Sequence, residues 1–253
     1  MTPAKCRAMV KKNADHAPAV REGGCCNAEL SPFKELATRI TAKENIMAEA
    51  KHEWKKHEKA LYVPTQNPVH LEVPEFKYIV LEGAGNPNSN EFSDAIGVLY
   101  SVSYGIKMLP KKGLTPDGYF EYTVYPLEAL WKQTEEKESF DKNNLQYRIM
   151  MRQPAFVTEG LLTQVIETIA KKKPHDRLAE VKLESILDGD CVQALHVGPY
   201  DNEPATFAKL NEFCAAHGMA RANEWHREIY LSDARKTEPA KLKTVLRFQV
   251  QRQ

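Results

Sequence analysis

The residues best equipped for chemistry sit in one short run, His226-Arg227-Glu228-Ile229-Tyr230-Leu231-Ser232-Asp233. Alternation with a period of two reads as a strand, with Ile229 and Leu231 on one face and His226, Glu228 and Tyr230 on the other. A carboxylate between an imidazole and a phenol is an odd choice for a core face. Burying its charge unpaired would cost on the order of several kcal/mol. Facing a cavity, the same carboxylate can orient a water as a general base, and a phenol beside it can donate to an oxyanion. About a hundred residues earlier, Tyr125-Pro126-Leu127-Glu128-Ala129-Leu130-Trp131 again sets an acid among aromatics. Two such strands imply a duplicated fold whose halves share one cavity, with Glu128 and Glu228 in equivalent places.

The elements that must hold these residues follow from the pattern of the chain. Residues 1–46 lack a sustained period and carry few large apolar side chains, so a disordered extension is expected there. The alternative is a start at Met47, because Lys43-Glu44 can be encoded as a ribosome-binding AAGGAG at a suitable distance. Lys51 to Lys59 is densely charged and reads as helical, and Pro64 to Pro74 reads as a connecting segment. Phe76 to Glu82 is a strand, followed by turn and cap chemistry in Asn86-Pro87-Asn88-Ser89-Asn90. A helix then runs to about Leu109, with Phe92, Ile96, Leu99, Val102 and Ile106 on one stripe. Tyr119 to Trp131 is the first acid-bearing strand, and Leu145 to Arg152 is the next. Thr158 caps a helix with Leu161, Leu162, Val165, Ile166 and Ile169 on its face, stopped by Pro174.

The second half repeats this order. Asp190 to Gly198 is a strand, and a helix turns Phe207, Leu210, Phe213 and Cys214 inward. Strands over Asn223 to Ser232 and Lys243 to Gln251 complete it. The expected fold class is α+β: duplicated strand-helix-strand-strand units with pseudo-two-fold symmetry, in halves of about 70–157 and 180–253 within a domain over 47–253. The antiparallel sheet carries its helices on one face and a ligand groove between the halves.

Composition narrows the function. At 253 residues, 42% hydrophobic and 27% charged, the chain is of ordinary globular make-up. A net charge of +1 gives no global case for nucleic acid. No apolar run approaches the ~20 residues of a membrane span, and the N-terminus lacks the apolar core of a signal peptide. A cytoplasmic protein with reduced cysteines is expected. The five cysteines, at 6, 25, 26, 191 and 214, are odd in number, and adjacent Cys25-Cys26 suits no Cys-x-x-Cys knuckle. In His52-Glu53-x-x-x-His57 the histidines are five apart. That places them about 140° apart on a helix, unlike the pair of a zinc-protease helix. Gly83 and Gly85 belong to no Gly-x-Gly-x-x-Gly loop. No metal or organic cofactor is implied.

Several motifs then carry a resemblance. They are Pro74-Glu75-Phe76-Lys77, Glu82-Gly83-x-Gly85-Asn86-Pro87-Asn88 and Tyr119-Phe120-x-Tyr122-Thr123-Val124-Tyr125-Pro126-Leu127-Glu128. Arg152-Gln153-Pro154-x-Phe156-Val157, His196-x-Gly198-Pro199-Tyr200 and Arg227-Glu228-Ile229-Tyr230-Leu231-Ser232-Asp233 continue them. From about Lys51 onward the chain resembles the GyrI-like small-molecule-binding family, and within it the stand-alone cyclopropanoid cyclopropyl hydrolases. Ala234 departs from the pattern where a proline is common; it touches the hairpin turn. The resemblance implies a groove between the halves. It also implies an aromatic cage that binds DNA-alkylating natural products such as yatakemycin and opens their activated cyclopropane with water.

The residues suit that chemistry on their own terms. A planar, hydrophobic electrophile needs flat aromatic walls, and Trp131, Tyr147, Phe156 and Tyr200 are the candidates. Glu228, Glu128 or both would orient the water, while Tyr230 or Tyr125 would donate to the oxyanion. His226 flanks the acid. On strand parity Tyr125 and Trp131 face away from Glu128, so all three share a cavity only across a bulge. Glu228 could instead pair with Arg148 or Arg247. The expected partner is a small planar hydrophobic ligand, with neither nucleic acid nor membrane involved; oligomeric state is not readable. The competing functions are a non-catalytic module that sequesters planar toxins and a gyrase-interacting protein.

Overall fold

Runs of period-two hydrophobicity become nine antiparallel strands of the computed structural model, which describes residues 51–134 and 141–253. The expected extension over residues 1–46 lies outside the described residues. The strands are β1 (Val69–Val73), β2 (Phe76–Ala84), β3 (Leu127–Gln133), β4 (Leu145–Gln153) and β5 (Lys182–Ile186). They continue with β6 (Gly189–Val197), β7 (Met219–Arg221), β8 (His226–Tyr230) and β9 (Lys243–Arg252). Their order across the sheet is β1-β6-β9-β8-β3-β4-β2-β5, and β7 pairs with the far end of β9. Among the described residues five α-helices accompany them: α1 (Trp54–His57), α2 (Lys59–Tyr62), α3 (Asn90–Lys107), α4 (Glu159–Lys172) and α5 (Glu203–Ala216). The first half runs β2-α3-β3-β4 and the second β6-α5-β7-β8-β9, and β3 meets β8 at the centre of the sheet.

Register decides which side chains meet. Ala129 pairs with Ile149 and Trp131 with Tyr147, which puts them on one face. The same face continues across the centre through Ala129 with Glu228 and Trp131 with His226. It is the face covered by helices: Ala129, Ile149 and Met151 bury against Leu99, Val102 and Ile106 of α3 and against Leu162 and Val165 of α4. In the other half Ala194 and Leu246 bury against Leu210 and Cys214 of α5. Local sequence starts these helices where expected. The Ser89 hydroxyl accepts from the Phe92 amide and the Thr158 hydroxyl from the Leu161 amide.

The reverse face is closed differently. Trp54 and Tyr62 of α1 and α2 pack on Ile229, Val245, Tyr122 and Tyr125. Beside them lies a buried ionic cluster. Arg227 donates to Glu128 at 2.6 Å and to Asp188 at 2.7 Å, and its guanidinium sits 5.2 Å from the centre of the Tyr78 ring. Arg247 donates to Gln193 and to the Leu61 carbonyl. Two cations and two carboxylates thus meet without net charge, as burial demands.

Three expectations are corrected, and strands β5 and β7 are added to them. The segment from Pro64 to Pro74 contains β1, which pairs with β6, and the unassigned residues before Asp190 contain β5, which pairs with β2. Both are short edge strands of five residues; β1 does alternate (Val69, Leu71 and Val73 against His70 and Glu72), but over too short a run between prolines to stand out, while β5, with Leu183 and Ile186 out of phase, does not alternate. The first acid-bearing strand begins at Leu127 instead of Tyr119, since Pro126 has no amide for the ladder. The strand expected over Asn223 to Ser232 is shorter, running from His226 to Tyr230 as β8, and a further strand, β7, precedes the expected range. Among the described residues no helix is long and apolar enough to cross a membrane.

Because Glu128 neutralises a guanidinium that is fully buried, Glu128→Ala should cost about 3–5 kcal/mol of stability. Denaturant unfolding followed by tryptophan fluorescence measures it. A loss below about 1 kcal/mol would mean that water reaches Arg227.

Candidate functional site

The two halves leave a groove of about 1770 Å³ on the helical face, floored by β3 and β8 and walled by α3 and α5. This exceeds the ~300–1,000 Å³ of an ordinary small-ligand pocket, so the space suits an extended molecule. Phe92, Ile96 and Tyr100 of α3 form one wall, and Phe207 with Tyr200 forms the other. Trp131 lies between them, its ring 5.3 Å from that of Phe92.

Glu228 stands on the floor with its side chain 12% exposed. The Trp131 indole donates to the Tyr230 hydroxyl at 3.0 Å, and that hydroxyl donates to Glu228 Oε2 at 2.7 Å. His226 Nε2 lies 3.1 Å from Oε1. An ionised carboxylate can only accept, so the imidazole donates from Nε2. Indole, phenol, carboxylate and imidazole are in line because Trp131 and His226 are register partners and the other two follow at strand spacing. Burial, and then the Glu228 charge, hold the Tyr230 phenol well above its ordinary pKa, so it stays a donor. The carboxylate is fixed in orientation, yet neither Arg148 nor Arg247 pairs with it. Arg148 binds Glu82 and Glu184, and Arg247 lies on the reverse face.

A second acid lines the same groove. Glu203, the first residue of α5, is 7% exposed, and its Oε1 has no hydrogen-bond partner among the described residues. Its pKa is pushed up to about 9, first by burial and then by the charges of Glu228 and Asp201. The helix N-terminus works against this with about 0.3–1 kcal/mol, less than one pKa unit. Burial wins, and Glu203 is protonated at neutral pH. Sequence reading missed it because Asp201-Asn202-Glu203-Pro204 looks like a polar helix start. Its position follows from His196, whose Nδ1 lies 2.9 Å from the Thr206 hydroxyl and whose Nε2 lies 3.0 Å from the Pro199 carbonyl. Both ring nitrogens therefore tie the Pro199-Tyr200 turn to α5.

Of the residues expected at the site, Glu228, Tyr230, His226, Trp131 and Tyr200 come together in the groove. The others do not. Glu128 is fully buried on the reverse face with Arg227, and the register opposes Glu228 with Ala129, so the two glutamates are not equivalent. Tyr125 borders the groove, but its hydroxyl donates to Glu58, which also binds Arg152 on the reverse face. Pro126 breaks the strand before it, so parity does not apply. Tyr147 is core: it covers Gly83, where an added Cβ would lie 2.3 Å from its ring, and packs on Phe92 and Trp131. Phe156 packs with Tyr119, Phe120 and Tyr122 away from the groove.

The GyrI-like small molecule binding domain matches residues 66–251, nearly three quarters of the chain. The chain belongs to this family. A hydrolase from Listeria innocua shares 36% identity over 80% of this chain and 100% of its own, with a TM-score of 0.75. An uncharacterized conserved protein from the same organism shares 38% over 79% of this chain and 100% of its own, also at 0.75. No curated protein matches the chain. As a GyrI-like domain it is a small-molecule binder, and the groove with its aromatic walls is the binding space this fold offers.

Glu203 also sets a pH dependence of this GyrI-like fold. Its folded pKa, about 9, lies above the ordinary 4.5. Between those values the unfolded chain has released a proton that the folded one keeps, so stability falls as pH rises through the window. Glu203→Gln should abolish that part of the slope, and denaturant unfolding of both proteins at about pH 5 and about pH 9 reads it as a difference. Parallel slopes in the two proteins would show that Glu203 is ionised in the fold.

Proposed function

We propose that the groove binds planar hydrophobic xenobiotics and hydrolyses activated cyclopropanes of the yatakemycin type. The observation that carries this reading is Glu228: a carboxylate held by Tyr230 and His226 on the floor of an aromatic groove, with no arginine or lysine paired to it among the described residues. The 36% identical hydrolase from Listeria innocua supports an enzymatic role.

The aromatic side chains supply affinity. Trp131, Tyr200 and Phe207 give large flat surfaces at little rotamer cost, and a planar ligand lying between them loses much of its hydration. Glu228 supplies the base. A water beside its free lone pairs is turned toward the ring methylene of the cyclopropane. Its oxygen bonds to that carbon, the strained C–C bond breaks, and the electron pair runs through the conjugated system to the carbonyl oxygen. The water's proton passes to Glu228. Tyr230 positions this carboxylate; its own proton is committed to Oε2, so it does not serve the carbonyl oxygen.

Sequestration is the second reading, favoured by the volume of the groove, which admits large flat molecules whatever their reactivity. Turnover separates the two. With a yatakemycin-type cyclopropane the protein should give multiple turnovers, and Glu228→Gln should lose roughly 10²- to 10⁴-fold in kcat while keeping ligand affinity. One equivalent of protection without product would establish sequestration instead.

A further inference from the structure

The ring opening places negative charge on the ligand's carbonyl oxygen, and the phenols expected to meet it are engaged elsewhere. Tyr230 donates to Glu228 and Tyr125 donates to Glu58. His226 is turned toward Glu228 as well. Glu203 differs from all of these: it faces the groove, it is nearly enclosed, and its Oε1 is unpartnered among the described residues. Its place is rigid, being the first turn of α5, which His196 ties to the Pro199-Tyr200 turn.

We propose that Glu203 is the proton donor of the groove, a neutral carboxylic acid that protonates the ligand's carbonyl oxygen while the carboxylate of Glu228 receives the proton of the attacking water. The inference rests on the hydrolytic reading above. Two carboxyl groups facing one groove oppose each other's ionisation, so the one less well stabilised as an anion holds its proton to higher pH. Environment decides which. Glu228 has a phenol and an imidazole stabilising its negative form, whereas Glu203 has burial and two neighbouring negative charges opposing it. Carboxyl groups pushed apart in this way mark acid and base. The step balances. The water oxygen bonds to the methylene carbon and the cyclopropane C–C bond breaks. The electron pair arrives on the carbonyl oxygen, which takes the Glu203 proton, and the water's proton goes to Glu228. The pair holds one proton before and after, and its return from Glu228 to Glu203 resets the site. Tyr200 is the competing donor. Its phenol is raised to about 12, first by burial and then by Glu228, which makes it a weaker acid than Glu203.

The test is the pH–rate profile of the full chain from about pH 6 to about pH 10 with a yatakemycin-type cyclopropane, beside Glu203→Gln, Glu203→Asp and Tyr200→Phe. Wild-type kcat should fall above about pH 9. Glu203→Gln should lower kcat roughly 10²- to 10⁴-fold and lose the alkaline fall, with ligand affinity changed less than about tenfold. Glu203→Asp should restore part of the rate together with the alkaline fall. Infrared spectra of the unliganded protein at neutral pH should show a carboxylic-acid band that disappears in Glu203→Gln. A Glu203→Gln variant with wild-type kcat, a rate lost in Tyr200→Phe instead, or an absent acid band in a protein that turns over would each overturn the assignment and leave the hydrolytic reading intact. A wild-type protein that binds the cyclopropane without turnover, acid band present, would overturn the hydrolytic reading and the donor role with it.

Discussion

Arg227 is the residue on which the arrangement depends. Its guanidinium is locked between Glu128 and Asp188 under the sheet, and the next residue, Glu228, must therefore rise on the other side. A slip of one residue in β8 would carry the guanidinium into the groove and the Glu228 carboxylate into the core, leaving charges unpaired in both places. Burying an ion without a partner costs several kcal/mol, by order of magnitude, so the ion pair specifies register more strongly than the apolar residues of β8 could alone. The pair also crosses from β8 to β3, the two strands at which the halves meet. One interaction thus joins the halves and aims the acid between them.

Two glutamates set among aromatics have opposite fates for reasons of pairing. Glu128 lies opposite Ile229, on the face where Arg227 is available, and becomes the counter-ion of a structural cation. Glu228 lies opposite Ala129, whose small side chain leaves room above the floor, and is held by donors from Tyr230 and His226. An arginine would have taken both carboxylate oxygens in a fork and lowered the basicity of the group. A phenol and an imidazole fix its direction and leave lone pairs for water. The chemistry therefore follows from which partners the register allows, and the residue type alone does not decide it.

Much of this was legible in the sequence, and what was not has identifiable causes. Helices α3 and α4 were readable from their stripes and from Ser89 and Thr158, because caps and periodicity act locally. The alternation in β8 correctly grouped His226, Glu228 and Tyr230. Parity separated Trp131 from Glu128 as expected, since both lie within β3; Tyr125 also lines the groove, although Pro126 ends the ladder before it and its hydroxyl turns to Glu58. The edge strands β1 and β5 were missed for different reasons: β1 alternates but is only five residues long beside Pro68 and Pro74, and β5 carries too few apolar residues in phase to show a period. Tyr147 and Phe156 could not be told from groove walls, as an aromatic ring serves a core and a pocket equally well. Gly83 offered a clue: a glycine inside a strand signals close approach, here by the Tyr147 ring. Glu203 was invisible because its character comes from distant strands that bury it, and a helix-initiating glutamate looks the same on any surface.

The two faces of the sheet also divide the costs of the site. Leaving a carboxylate and a carboxylic acid in an aromatic groove opposes folding, and widening the groove forfeits apolar contact between α3 and α5. The reverse face compensates with close packing: Trp54 and Tyr62 cover Ile229 and Val245, directly beneath the strand that carries Glu228. Ile229 is fully buried there, one residue from the acid. The strand is thus clamped from below by packing and by Arg227 while its upper side stays open. Rigidity of the floor with openness above is what a positioned water requires, since a base that can swing loses the geometric advantage of being held near its target.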